Sequence, residues 1–290
     1  MRIAWFQDID PLSTAGGAQL TDRTHIIEGL KRGHKIVILT PENQNTVRLT
    51  ESDFLVLSNV TRFDPNGFLQ THNRFAVFHH DMMFRCKWRL YFPMSEKCKA
   101  DCPQAPVWKP VLAKALLHIF LSPLHYAVNR EYFEDAIEPH VLVPSPVDTN
   151  EFFDYRKPDR AGICSLNGLV MFKGQETVLE YAKQHPDEKI VFAGQKDGNP
   201  VLPPNCSFVG HIAEGRLPDF YNTFVDYIEL PNTPQPFNRT IAEAYLCGCK
   251  VRGNKLIGAL SWPWFNDRAK VTEKLSQSPT DFWNALEQVL

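Results

Sequence analysis

The chain has 290 residues, of which 43% are hydrophobic and 22% charged; that composition excludes disorder, and the length favours two domains at roughly 100–200 residues each. Lys plus Arg number 31 against 33 Asp plus Glu, a formal net charge of -2, which excludes a generally basic nucleic-acid binder and leaves room only for a local basic groove. The most apolar stretch, Val111 to Leu124, is interrupted by Lys114, His118 and Pro123, so no transmembrane segment of roughly 18 apolar residues is expected. Asp8 and Asp10 stand where a signal peptide would keep an apolar core, and seven cysteines, an odd number, fit reduced thiols better than a disulfide framework. The expected location is cytoplasmic.

In chain order, the first element is a strand from Ile3 to Phe6, followed by a turn-rich stretch that ends in Gly16-Gly17. Leu20, Ile27 and Leu30 then recur at helical spacing, and Gly33 stands where a helix would stop. Lys35 to Leu39 is the next buried strand. Strand, glycine turn, helix and strand make a βαβ unit, whose parallel strands require such a crossover. Further strands are expected at Phe54 to Leu57, Phe75 to Phe78, Leu117 to Leu121 and Val141 to Val143. Together they form a doubly wound α/β domain with a long insertion after its fourth strand.

Between Pro144 and Gly162 the chain is proline-rich and charged, as a linker would be. Alternation then resumes: strand Ile163 to Leu166, helix Gln175 to Lys183, strand Lys189 to Ala193 and short strand Ser207 to Val209. Helix Arg216 to Thr223, strand Tyr227 to Leu230, helix Thr240 to Cys247 and strand Lys250 to Arg252 complete it. The tail is expected to open with Ser278 or Thr280 as N-cap and to close the second domain with a helix. The predicted domains are 1–147 and 148–290. Ligands of open α/β sheets bind at the carboxyl ends of the strands, so two such domains would leave a site in the cleft between them.

Four segments carry a resemblance. GGAQLTDRTHIIEGLKRGHKIVILTP resembles the opening of nucleotide-sugar-dependent glycosyltransferases of the GT-B fold, in particular the retaining glycosyltransferase family 4. VLVPSPVDTNEFF is similar to the passage into that family's second domain, LNGLVMFKGQETVLEYA to its first strand-and-helix there, and QPFNRTIAEAYLCGCKV to its donor-binding helix. The matches fall in order from Met1 to Gly258. The resemblance implies an α/β fold of two Rossmann-like domains facing each other across a cleft, in a compact version, since the fold usually needs a longer chain.

Gln235-Pro236-Phe237-Asn238-Arg239-Thr240-Ile241-Ala242-Glu243 is the most informative piece. Read as a turn entering a helix, it offers free N–H groups and a helix dipole to a diphosphate. Glu243, about one turn in, can accept hydrogen bonds from vicinal ribose hydroxyls. The family pattern places Glu at both ends of this segment, and Gln235 departs from it at the position that contacts the donor sugar. Lys173 matches the family's phosphate-binding lysine, a fixed cation that would lower the barrier to departure of the diphosphate. The family's arginine, five residues earlier, falls on Gly168 and is missing. Arg239 is either a second cation or a solvated helix residue. Gly194, in Phe192-Ala193-Gly194-Gln195, resembles a glycine near the donor, and Val209-Gly210-His211-Ile212 the segment that reads the base.

In the first half, Gly16 and Gly17 would let backbone N–H groups approach the donor phosphate or the acceptor, or serve the turn alone. His80 and Asp81 follow the fourth strand, as a His-Asp pair does in many family members; there the histidine lies near donor sugar and acceptor. His79 is the rival, because strand register decides which ring points to the site. Cys86, Cys98 and Cys102 are separated by eleven and then three residues, a spacing that fits free thiols better than structural zinc.

The resemblance implies a glycosyltransferase that moves a sugar from a nucleoside-diphosphate sugar to an acceptor hydroxyl, with retention and without metal or other cofactor. His80, Lys173 and Gln235 would be the catalytic set. Gly17, Gly194, Phe237, Asn238, Arg239, Thr240 and Glu243 would join Lys173 on the donor, with Gly16 and Asp81 on the acceptor side. The acceptor is a glycan, a lipid-linked sugar or a nucleobase in DNA; the last would need a basic face such as Arg85, Lys87 and Arg89. A nucleotide-sugar epimerase shares the fold, and a degenerate domain that binds a nucleotide sugar without turnover is the reading from outside enzymology.

Overall fold

The computed structural model describes residues 1–13, 16–60, 62–63, 74–86 and 104–290. Strand β1 (Arg2–Gln7) is apolar on both faces, and its residues from Ile3 onward are buried, as an interior parallel strand requires. It pairs in parallel with β2 (Lys35–Leu39) on one side and β3 (Phe54–Asn59) on the other. Strands β4 (Phe75–Phe78), β5 (Leu117–Phe120) and β6 (His140–Leu142) extend the sheet in the order β2-β1-β3-β4-β5-β6. Helix α1 (Gly17–Lys31) makes the first crossover, and α2 (Gln104–Leu112) lies between β4 and β5. Helix α3 (Pro123–Phe133) starts where both rules for a start agree: Pro123 needs no N–H partner, and Ser122 caps it by accepting from the His125 N–H.

The second sheet is parallel throughout as well. It comprises β7 (Ile163–Leu166), β8 (Ile190–Ala193), β9 (Cys206–Phe208), β10 (Asp226–Glu229) and β11 (Lys250–Gly253), in the order β11-β10-β7-β8-β9. Helices α4 (Gln175–Gln184), α5 (Leu217–Tyr221) and α6 (Arg239–Leu246) connect them. The expected helix from Arg216 to Thr223 is shorter than its pattern, with a 3-10 turn, Glu214–Arg216, leading into α5. In each sheet the chain first builds outward from its first strand and then resumes on that strand's other side. The switch points lie between β1 and β3 and between β7 and β10, where sheets of this kind bind ligands.

The chain divides into unit 1, Met1–Pro146 with Gln277–Leu290, and unit 2, Val147–Ser276. The tail therefore corrects the expected division: its last residues pack with the first sheet. Helix α7 (Arg268–Leu286) contains Ser278 and Thr280 rather than starting at either. Val271, Leu275, Ser278, Phe282 and Leu286 are all buried and recur at helical spacing through Pro279, so burial of one continuous stripe outweighs the local N-cap signal. Ser278 donates to the carbonyl of Pro144. The Trp283 indole donates to the carbonyl of His25 at 2.7 Å, and the Phe282 ring stacks on the His25 imidazole at 4.2 Å. A β-carbon on Gly29 would come within 2.0 Å of the Trp283 ring, so the helix packing admits only glycine there.

Candidate functional site

In unit 2 the loop after β7 and the loop after β10 press together at the switch point. Gly174 makes this possible. Its φ is +92°, and a β-carbon would stand 1.8 Å from the carbonyl oxygen of Leu230. The 3-10 turn Met171–Lys173 just before it presents Lys173 to Glu229, the last residue of β10, with Nζ 3.4 Å from Oε1. Glu229 is completely buried. Oε1 also accepts from Asn238 Nδ2 at 2.7 Å, while Oε2 lies 2.8 Å from the Tyr227 hydroxyl and 3.1 Å from that of Thr240. Four donors thus surround one carboxylate, as a buried charge demands.

The same cluster builds the start of α6. Asn238 is its N-cap in the left-handed region, φ 76°, where asparagine is among the few side chains tolerated. Its Oδ1 accepts from the Ile241 N–H at 3.3 Å, while its Nδ2 reaches Glu229. One turn on, Arg239 Nε donates to Glu243 Oε1 at 2.7 Å, and the Tyr221 hydroxyl lies 3.4 Å from Oε2. Burial raises the Glu243 carboxyl above its ordinary value, with Arg239 opposing. Burial likewise drives the Tyr221 and Tyr227 phenols well up, helped by Glu243 and Glu229 respectively, so both remain neutral hydrogen-bonding groups.

Gln235 and Phe237 line the turn that enters α6. The Gln235 amide donates to the Thr233 carbonyl at 3.2 Å and lies 3.1 Å from its hydroxyl. Phe237 is buried, and its carbonyl accepts from the Ala259 N–H at 2.6 Å. Gly194 closes β8 and donates to the Gly210 carbonyl at 2.8 Å. The position of the missing arginine has a steric explanation: a β-carbon on Gly168 would meet Ser165 Oγ at 2.1 Å.

In unit 1, His80 and not His79 faces the start of α1. His80 Nε2 is 2.9 Å from Asp22 Oδ1, Ser58 donates to Asp22 Oδ2 at 2.6 Å, and Gln7 Nε2 donates to Ser58 at 3.3 Å. This relay crosses the carboxyl ends of β1 and β3, at the switch point. His79 stacks on Phe120 at 4.0 Å and bonds His118 at 3.0 Å, and burial holds it well below the usual histidine range. Asp81 accepts from the Met83 N–H at 2.7 Å within its own turn. Gly16 precedes α1 as its N-cap residue and Gly17 begins it, with open space around a β-carbon at Gly17. Arg85 is buried, 4.4 Å from the centre of the Tyr132 ring, which does not fit the basic face that a nucleobase acceptor would need; Lys87 and Arg89 lie outside the described residues.

Among the described residues no group of three or more His, Cys, Asp or Glu is arranged to hold a metal. Cys86 is buried, and Cys98 and Cys102 lie outside the described residues. No described helix is long and apolar enough to cross a membrane. Sequence reasoning missed Glu229, Tyr227, Asp22 and Ser58. The acid closing the apolar strand DYIE was the available signal, since a carboxylate there must find partners.

No family model and no curated protein matches this sequence. Solved structures do match. Sucrose-phosphate synthase from Thermosynechococcus elongatus is 16% identical with a TM-score of 0.69, over 98% of this chain and 94% of that one. HepE from Anabaena, solved in complex with UDP-glucose, is 14% identical with a TM-score of 0.60, over 100% and 95%. A trehalose-phosphate synthase (UDP-forming) from Burkholderia vietnamiensis is 12% identical with a TM-score of 0.53, over 93% and 74%. The likeness is one of fold: two Rossmann-like α/β units of the GT-B type.

Proposed function

We propose that the chain is a glycosyltransferase that takes a nucleoside-diphosphate sugar as donor and transfers the sugar to an acceptor hydroxyl, with retention and without a metal. The observation that carries this reading is Lys173, held at the switch point of unit 2 beside the start of α6. The names of the structural neighbours, two of them sugar-phosphate synthases and one solved with UDP-glucose, support the same substrate class.

In the proposed reaction the bond from the anomeric carbon to the diphosphate oxygen breaks, and its electron pair leaves with the diphosphate. The acceptor oxygen bonds to that carbon, and its proton passes to an oxygen of the departing diphosphate. Lys173 and the first N–H groups of α6 stabilise the charge that gathers on the leaving group. Glu243, freed from Arg239, accepts from the ribose, and Arg239 turns to the phosphates. Gln235, Phe237, Asn238, Thr240 and Gly194 shape the donor site. In unit 1, Asp22 accepts a hydrogen bond from His80 Nε2–H, which leaves Nδ1 as an acceptor for a hydroxyl. Gly16 and Asp81 stand on the acceptor side, where a glycan or lipid-linked sugar is received, and Gly17 would contact the donor. The protein would work in the cytoplasm, where nucleotide sugars are the donor supply.

A second reading, a domain that binds a nucleotide sugar without turnover, is favoured by Gly168 and Gln235, which replace charged family positions. A thermal-shift panel of nucleotide sugars followed by a transfer assay separates the two. Transfer by the wild type and a loss of roughly 10²-fold in Lys173→Ala support the enzyme. A thermal shift without product supports the binder, and no shift with any nucleotide sugar overturns both.

A further inference from the structure

Glu229 has no counterpart in the motifs from which the donor site is read, yet Lys173, Asn238 and Thr240 of that site, carried by two different loops, converge on it. Lys173 comes from the loop after β7, Asn238 and Thr240 from the start of α6, and Tyr227 from β10 itself. A lysine is a flexible cation with three N–H donors. One of them on Glu229 fixes the ammonium group in place and leaves two for an anion. Asn238 ties the same carboxylate to the N-cap of α6, so the cation and the helix start share one rigid anchor. Side-chain exposure sharpens the contrast: Lys173 is 21% exposed and Glu229 0%. The carboxylate is therefore placed beneath the lysine, not in competition with it at the surface.

We infer that Glu229 is a positioning residue, which holds Lys173 in register with the start of α6 so that both meet the departing diphosphate together. The inference rests on the donor-site reading above and adds the group that preorganises it. Preorganisation is where such a charge acts, because a cation that must find its place during the reaction stabilises the transition state less than one already fixed.

The test compares Glu229→Gln, Lys173→Ala and the double variant in the full chain, with UDP-glucose as the probe donor. Glu229→Gln should lower kcat roughly tenfold with little change in donor KM, the mark of an interaction that matters in the transition state. Because Glu229 acts through Lys173, the double variant should be no slower than Lys173→Ala alone. Losses that multiply, or a Glu229→Gln enzyme with unchanged kcat, overturn the inference. Thermal unfolding supplies a readout independent of turnover. Lys173→Ala leaves a buried carboxylate without its cation and should melt lower than the double variant, in which that charge is gone. A double variant that melts below Lys173→Ala refutes the anchor. Should Glu229→Gln fail to fold, Glu229→Asp keeps the charge but draws it one methylene away from Lys173, and carries the same kcat expectation. If no nucleotide sugar of the panel shifts the wild type, the functional reading falls. The unfolding comparison then still decides whether Glu229 holds Lys173.

Discussion

Arg239 and Glu243 face each other across one turn of α6, Nε to Oε1 at 2.7 Å, with Glu243 at 4% exposure. The residue expected as a second cation and the residue expected on the ribose are thus partners. On the proposed reading, this enclosed carboxylate exchanges Arg239 for ribose hydroxyls when a nucleotide binds. Glu243→Ala should therefore weaken UDP and UDP-glucose alike, by roughly tenfold or more, since ribose contacts are shared by ground and transition states. Calorimetric titration with both ligands checks this; unchanged affinity removes Glu243 from the ribose.

The same burial makes a pH prediction. Desolvation raises the Glu243 carboxyl above its ordinary value of 4.5. A carboxyl raised on folding favours the folded state below its unfolded value and loses that contribution as pH rises through the folded one. Glu243→Gln, which never ionises, should gain in melting temperature relative to wild type between pH 4.5 and neutrality. A constant difference across that range contradicts the burial argument.

Histidines of unit 1 predict the opposite slope. Burial depresses His118 to about 4 and His125 to about 3. A base depressed on folding contributes stability above its unfolded value, near 6.5, and loses it as pH falls through the folded value. The melting temperature should drop from pH 6.5 towards 4. His125→Gln should flatten that drop, while costing about 1 kcal/mol at neutral pH through altered hydrogen bonds. An acid limb as steep as wild type would exclude His125 as a source.

Gly168 is a steric requirement of this backbone. With Ser165 Oγ 2.1 Å from any β-carbon at that position, Gly168→Arg should lose roughly 1–3 kcal/mol to overpacking and gain no transfer activity. Ser165→Ala, which leaves the nearest side-chain atom at 3.1 Å, should recover most of the loss. Denaturant titration of Gly168→Arg, with and without Ser165→Ala, tests it, and a fully stable Gly168→Arg would show that the loop yields.

Gln235 is 6% exposed, and its amide N–H groups face two acceptors on Thr233. Glutamate has no donor to offer there and would set a charge against the Thr233 carbonyl. Gln235→Glu should cost roughly 1–3 kcal/mol and lower turnover with UDP-glucose. Higher turnover with glutamate would mean that Gln235 is a decayed catalytic position.

The alternation of strands and helices was legible in the sequence alone, because periodicity and turn residues act within a few positions of the chain, and the resemblance carried by four segments pointed to the GT-B type. Local motif also singled out Lys173, Asn238, Thr240 and Glu243 as candidates. What they touch was decided only by the tertiary structure. The Lys173–Glu229 ion pair joins loops after two strands that are neighbours only through the switch in sheet order, and no local pattern encodes that adjacency. Likewise the N-cap signal at Ser278 lost to a buried stripe through α7, and Gly168 lost the room for a side chain to Ser165. In each case long-range burial, summed over many atoms, outweighed the single local preference that the sequence displays.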